Sequence, residues 1–214
     1  MKKEKLILKM YEIGALAIIR EKNAKRIFDI AEACIESDLP FMEISYTFNN
    51  AGEIIKSLKD KYGSKLICGA GTVLDEITAR HAILNNADFI IAPNFDKAVA
   101  YQCNLYQLPY IPACTSISEA IEALKYGAAF IKAFPIADFY GPKLVKVFKT
   151  PLPNIPILAT GGINLENFEL WLENGIDLCG FGSLLTKGSI TEIKEKAKQI
   201  RKIIKSFREE YNND

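Results

Sequence analysis

Residues Ile155–Leu185, IPILATGGINLENFELWLENGIDLCGFGSLL, hold one complete structural period. The apolar run IPILAT (155–160) reads as a buried strand. Gly161 and Gly162 break it, Asn164 opens a segment with helical spacing that stops at Gly175, and LCGFG (178–182) is apolar again. A strand, a helix and a second strand without a hairpin turn imply two parallel strands joined by a helical crossover. Upstream, the same alternation recurs at ALAII (15–19), FMEIS (41–45), LICGA (66–70), DFIIA (88–92), YIPA (110–113) and AFIKAF (129–134). Eight such units close naturally into an α/β fold of the (β/α)8 TIM-barrel type, and an open doubly wound sheet is the competitor. The barrel is preferred because the count is eight and because chemically useful residues end several different runs, where barrel sites are built.

The rest of the chain fits that plan. Ser116 opens a helix that ends at Gly127. Ile193, Ala197, Ile200, Ile204 and Phe207 form one stripe between Thr191 and Tyr211, which predicts a last helix coating the barrel. Residues 3–12 are expected to add a short N-terminal helix that closes the barrel's N-terminal mouth. The absence of a Ser/Gly/Pro-rich linker predicts a single domain over residues 1–214.

With 27 basic and 26 acidic side chains the 214-residue chain carries a formal charge of +1, which offers no general field for nucleic acid or an acidic membrane. Any anion must be bound locally. Glu4, Lys9, Glu12 and Arg20 interrupt the N-terminal apolar residues, so a signal peptide is not expected, and no uncharged run is long enough to span a bilayer. Five cysteines without CxxC spacing read as reduced thiols in a cytoplasmic protein. His81 is the sole histidine and falls in a predicted helix. No histidine-rich zinc site can be assembled from it, and neither a metal nor another cofactor is expected.

Lys132 stands inside the greasy run GAAFIKAFPI (127–136). A buried ammonium is costly unless it is paired or gives up its proton, and a neutral amine attacks carbonyls. Glu43 poses the same problem in FMEIS, where Phe41, Glu43 and Ser45 share one face. Together they read as a Schiff-base lysine with a proton-moving carboxylate, or as a salt bridge kept for structure. Gly69, Ala70, Gly71 and Thr72 form a small-residue turn that lets a carboxylate approach backbone amides, and Arg20 ends the first strand with a planar fork of donors. After the last two strands, Thr160, Gly161 and Gly162, then Gly182 and Ser183, lie where barrels bind phosphate. Their amides and the Ser183 hydroxyl are expected to hold the dianion without any lysine or arginine.

Glu43 and the motifs AIIR (17–20), GAGTVL (69–74), IKAFP (131–135), ATGGI (159–163) and GSLL (182–185) together resemble the family of aldolases that act on 2-keto-3-deoxy-6-phosphogluconate and 4-hydroxy-2-oxoglutarate. The resemblance runs from about Ile13 to Leu185. It implies that Lys132 forms the Schiff base, Glu43 is the general acid/base, Arg20 and Thr72 grip the pyruvyl carboxylate, Pro93, Phe134 and Thr160 wall the pocket, and Gly161, Gly162, Gly182 and Ser183 bind the distal phosphate. It further implies a homotrimer acting on a small-molecule substrate, a 2-keto-3-deoxy sugar acid phosphate, with pyruvate as a product. Many members carry an arginine four residues after the glutamate, where this chain has Thr47. The segments APN (92–94) and YGPKLVK (140–146) are closer to the galactonate-type enzymes, and Thr160 to the gluconate type. A phosphate-binding isomerase or synthase barrel and a silent binding protein are the rival readings.

Overall fold

The structure is a computed structural model, and it describes residues 2–211; residue 1 and residues 212–214 of the expected single domain lie outside the described range. Nine strand segments form one parallel sheet: β1 (Ala15–Ile19), β2 (Phe41–Ser45), β3 (Ile67–Gly71), β4 (Ile90–Ile91), β5 (Tyr110–Ile111), β6 (Ala113–Cys114), β7 (Ile131–Ala133), β8 (Ile157–Thr160) and β9 (Leu178–Phe181). Their order, β5-β4-β3-β2-β1-β9-β8-β7-β6, puts at the two ends segments that are consecutive in the chain. Pro112, which has no amide hydrogen to give, separates them.

The two segments act as one stave. On one side Ala92 N–H donates to Ile111 O at 3.1 Å and Ala113 N–H to Ala92 O at 3.1 Å; on the other, Ala129 N–H donates to Tyr110 O at 2.7 Å and Lys132 N–H to Pro112 O at 2.8 Å. The run 110–114 thus joins β4 to β7, and the expected eight staves close into a barrel.

Residues two apart on each strand share a face, so each stave contributes layers to the interior. The lower layer is apolar: Leu16, Phe41, Ile67, Phe89, Phe130, Leu158 and Leu178 pack into one buried cluster. Helix α1 (Lys2–Ile13) plugs the N-terminal mouth as expected, burying Met10 and Ile13 in that cluster and setting Tyr11 4.8 Å from the Phe130 ring. The polar residues Glu43, Lys132 and Thr160 occupy the next layer, two residues further along β2, β7 and β8.

The outer helices follow the expected stops, with one shift. In α6 (Ile117–Lys125), Ser116 and Glu119 form a reciprocal capping box. Asn164, by contrast, caps a turn: its Oδ1 accepts from Glu166 N and Asn167 N, both at 3.0 Å, and α9 (Phe168–Glu173) starts later. The last helix, α11 (Ile190–Tyr211), buries Ile193, Ala197, Ile200 and Ile204. It also buries Arg201, whose guanidinium donates to Ile13 O at 2.6 Å and Asp38 Oδ2 at 3.1 Å. That cation caps the carbonyl end of α1, a favourable place for positive charge. Among the described residues no helix is long and apolar enough to cross a membrane.

Candidate active site

Above the apolar layer, at the C-terminal ends of the strands, a cavity of about 410 Å³ opens to solvent. Its floor holds Glu43 and Lys132, which are 2% and 6% exposed. Ile18, Phe41, Phe89 and Phe130 surround that level with hydrocarbon or lie just beneath it. Burial pushes the Lys132 ammonium below the ordinary lysine range, with Glu43 opposing and Arg20 adding to the shift. Burial likewise pushes the Glu43 carboxyl up, against the pull of Lys132 and Arg20. Both groups are therefore driven toward their neutral forms.

No direct hydrogen bond or ion pair ties the two together. Glu43 Oε2 is buried without a hydrogen-bond partner, and Lys132 Nζ lies 4.9 Å from the Phe134 ring centroid. A structural salt bridge would satisfy both charges; this arrangement leaves them available. Gly71 makes room for the carboxylate. A Cβ there would lie 2.7 Å from Glu43 Cδ and Oε1, closer than real Cβ atoms approach.

Arg20 and Phe134 stand on the wall of the same cavity. Thr160, Gly161 and Gly162, after β8, line it together with Gly182 and Ser183, after the adjacent β9. Gly161 and Gly162 have φ of +92° and +66°, which only glycine adopts without strain, and Asn167 Nδ2 holds the turn by donating to Gly162 O at 2.8 Å. Thr72 and Pro93 are not among the lining residues. Thr72, at φ +60°, instead shares a hydrogen bond with Ser45 Oγ at 2.9 Å, and Ser45 Oγ contacts Thr47 Oγ1 at 3.2 Å. The threonine at the position of the missing arginine thus joins a chain of hydroxyls. Pro93 follows β4 at the rim.

Sequence reading missed Ile18, Gly180, Thr186 and Lys187 on this wall. Ile18 and Gly180 lie two residues before Arg20 and Gly182, so strand alternation carried their signal. Gly180 is bare because a Cβ there would meet Thr160 Cγ2 at 2.7 Å and Ile18 Cδ1 at 2.8 Å. Lys187 had no such signal. It follows the four-residue helix α10 (Ser183–Thr186), which turns the chain back to the mouth, and it lines the glycine-rich end that was expected to lack a cation. His81 lies elsewhere, on α4 (Glu76–Leu84), the expected ordinary helix position, with its Nδ1 3.3 Å from Tyr46 Oη.

The family of KDPG and KHG aldolases matches residues 6–203. The chain belongs to this aldolase family. Among its relatives is a 2-dehydro-3-deoxy-6-phosphogalactonate aldolase of Escherichia coli (strain K12), 30% identical over 199 residues that cover 92% of this chain and 96% of that protein. Another is a 2-dehydro-3-deoxy-phosphogluconate aldolase of Haemophilus influenzae, 28% identical over 94% of this chain and 98% of that one. The solved structure titled "Native KDPGal structure" superposes with a TM-score of 0.85 at 27% identity, covering 91% of this chain and 96% of its own. Members of the aldolase family of both sugar-acid types therefore span nearly the whole barrel.

Proposed function

We propose that this aldolase works through a Schiff base on Lys132, cleaving 2-keto-3-deoxy-6-phosphogluconate to pyruvate and glyceraldehyde 3-phosphate. One observation carries the reading: a desolvated amine and a desolvated carboxyl with a free oxygen share the floor of one cavity whose other end is a pair of glycine turns.

The neutral Lys132 Nζ attacks the C2 carbonyl. Glu43, as the acid, protonates the carbinolamine oxygen and water leaves, giving an iminium. The Glu43 carboxylate then removes the proton of the C4 hydroxyl. The C3–C4 electrons flow into the iminium, the aldehyde departs, and an enamine of pyruvate is left. Protonation at C3 and attack by water return the free amine and pyruvate. Arg20 binds the pyruvyl carboxylate; the amides of Gly161, Gly162 and Gly182 and the Ser183 hydroxyl receive the phosphate; Phe134 closes one side. 4-Hydroxy-2-oxoglutarate would yield pyruvate and glyoxylate by the same steps.

Thr160, which lines the cavity just before the double glycine, supports the gluconate epimer by its resemblance to the gluconate-type enzymes. The galactonate epimer is the second reading, favoured by the 30% identical relative; both give the same products. Exposed Ile77 and Leu84 on α4, beside exposed Tyr101 and Leu105 on α5 (Lys97–Leu105), provide an apolar face suited to a homotrimer. Five buried free thiols suit the cytoplasm. The test is pyruvate release from the two phosphorylated epimers and from 4-hydroxy-2-oxoglutarate. Release from a phosphorylated epimer, lost in Lys132→Met, supports the reading; a barrel that only binds phosphate or isomerises sugars releases none.

A further inference from the structure

Three cationic residues line the cavity: Arg20, Lys132 and Lys187. Lys187 shares the far end with Gly161, Gly162 and Ser183, on a backbone that is pinned from both sides. Lys187 N–H donates to Ser183 O at 3.0 Å, and Thr186 Oγ1 donates to Gly182 O at 3.0 Å. From across the sequence, Arg26 on α2 (Ala24–Ile35) donates through Nη2 to Thr186 O at 2.9 Å and to Gly188 O at 2.6 Å, the carbonyls flanking Lys187. Gly188 has φ +98°, and a Cβ there would lie 2.7 Å from Glu192 Oε2, a carboxylate that itself receives Ser189 N–H at 2.6 Å. A lysine that only solvates the surface needs no such frame.

The neighbouring turn after β8 carries the contrary charge. The Asp138 carboxylate packs against the double-glycine turn, with Oδ1 2.9 Å from where a Gly162 Cβ would stand. A dianion received by those amides alone would sit beside that carboxylate. A cation lining the same cavity from the turn after β9 offsets this repulsion.

We infer that Lys187 is a specificity-determining residue that binds the distal phosphate monoester of the substrate and favours phosphorylated over neutral-ended keto acids. This rests on the aldolase reading for its kinetic readout but not for its binding readout. In Lys187→Ala, the ratio of kcat/KM for 2-keto-3-deoxy-6-phosphogluconate to that for 2-keto-3-deoxygluconate should fall about tenfold, through KM, as expected for loss of one charge-assisted contact at an open site. Lys187→Arg should restore most of it. An unchanged ratio, or equal losses on both substrates, overturns the inference. If the wild-type protein releases no pyruvate at all, the aldolase reading fails by itself, and calorimetric titration with glycerol 3-phosphate still decides this one. Weaker binding by Lys187→Ala, with rescue by arginine, upholds it; equal binding by wild type and Lys187→Ala refutes it.

Discussion

Gly71 and Glu43 are matched in space: the third strand is bare where the carboxylate of the second reaches across, and any Cβ would stand 2.7 Å from that carboxylate's Cδ. The small residues of GAGT therefore serve the acid/base as well as any turn. Gly71→Ala should displace Glu43, lowering kcat/KM by about a hundredfold or more, the scale of a lost proton-transfer group. It should cost about 1–3 kcal/mol of stability through overpacking. Kinetics with urea unfolding checks both; full activity would show that Glu43 does not need its present position.

Glu43→Gln should reduce carbon–carbon cleavage by about 10²- to 10⁴-fold while keeping the fold. Since the Glu43 charge holds the Lys132 ammonium up against desolvation, removing it should lower the lysine further. The acidic limb of the residual kcat/KM profile should thus move to lower pH than in wild type. A limb that stays in place would uncouple the two groups.

The same pair should cost stability near neutral pH. Glu43 has its folded pKa raised above 4.5, so what it contributes is present below that value and is lost as pH rises through the raised one. Lys132 is lowered from 10.5, so its contribution is present above 10.5 and is lost as pH falls through the lowered value. Between those limits both groups weigh against folding. The double variant Lys132→Met with Glu43→Gln should be inactive yet more stable by about 1–4 kcal/mol at pH 7, the range for replacing buried charge pairs. Urea unfolding should show that gain shrinking toward both extremes of pH.

Arg201 tests the plug at the other end of the barrel. Its guanidinium is 6% exposed and ties Ile13 O to Asp38, although its Nε finds no partner. Arg201→Met should lose about 1.5–3 kcal/mol, the range for hydrogen bonds to charged groups. Activity below the unfolding transition should survive, because the site is at the opposite mouth. A catalytic loss without a stability loss would contradict this division.

Much of this molecule was legible because its signals are local. Apolar runs located every stave, and the buried charges Lys132 and Glu43 announced themselves by standing where hydrocarbon belongs. The glycine turns after β8 and β9 were visible as breaks. Long-range features were not. Arg201 did not stand out among the mixed charges of the last helix, because its burial depends on where α1 ends. Gly71 read as a turn residue, since its steric role needs the neighbouring strand in register, Ser45 opposite Gly71. Lys187 lay beyond the last motif, and only the short helix α10 and the Arg26 contacts bring it to the cavity.

The chemistry turns on a covalent bond between Lys132 and a keto acid. Incubation with pyruvate, borohydride reduction and peptide mass spectrometry should place the reduced three-carbon adduct on Lys132, and Lys132→Met should take up none. Absence of an adduct, or one on any other lysine, would contradict the account.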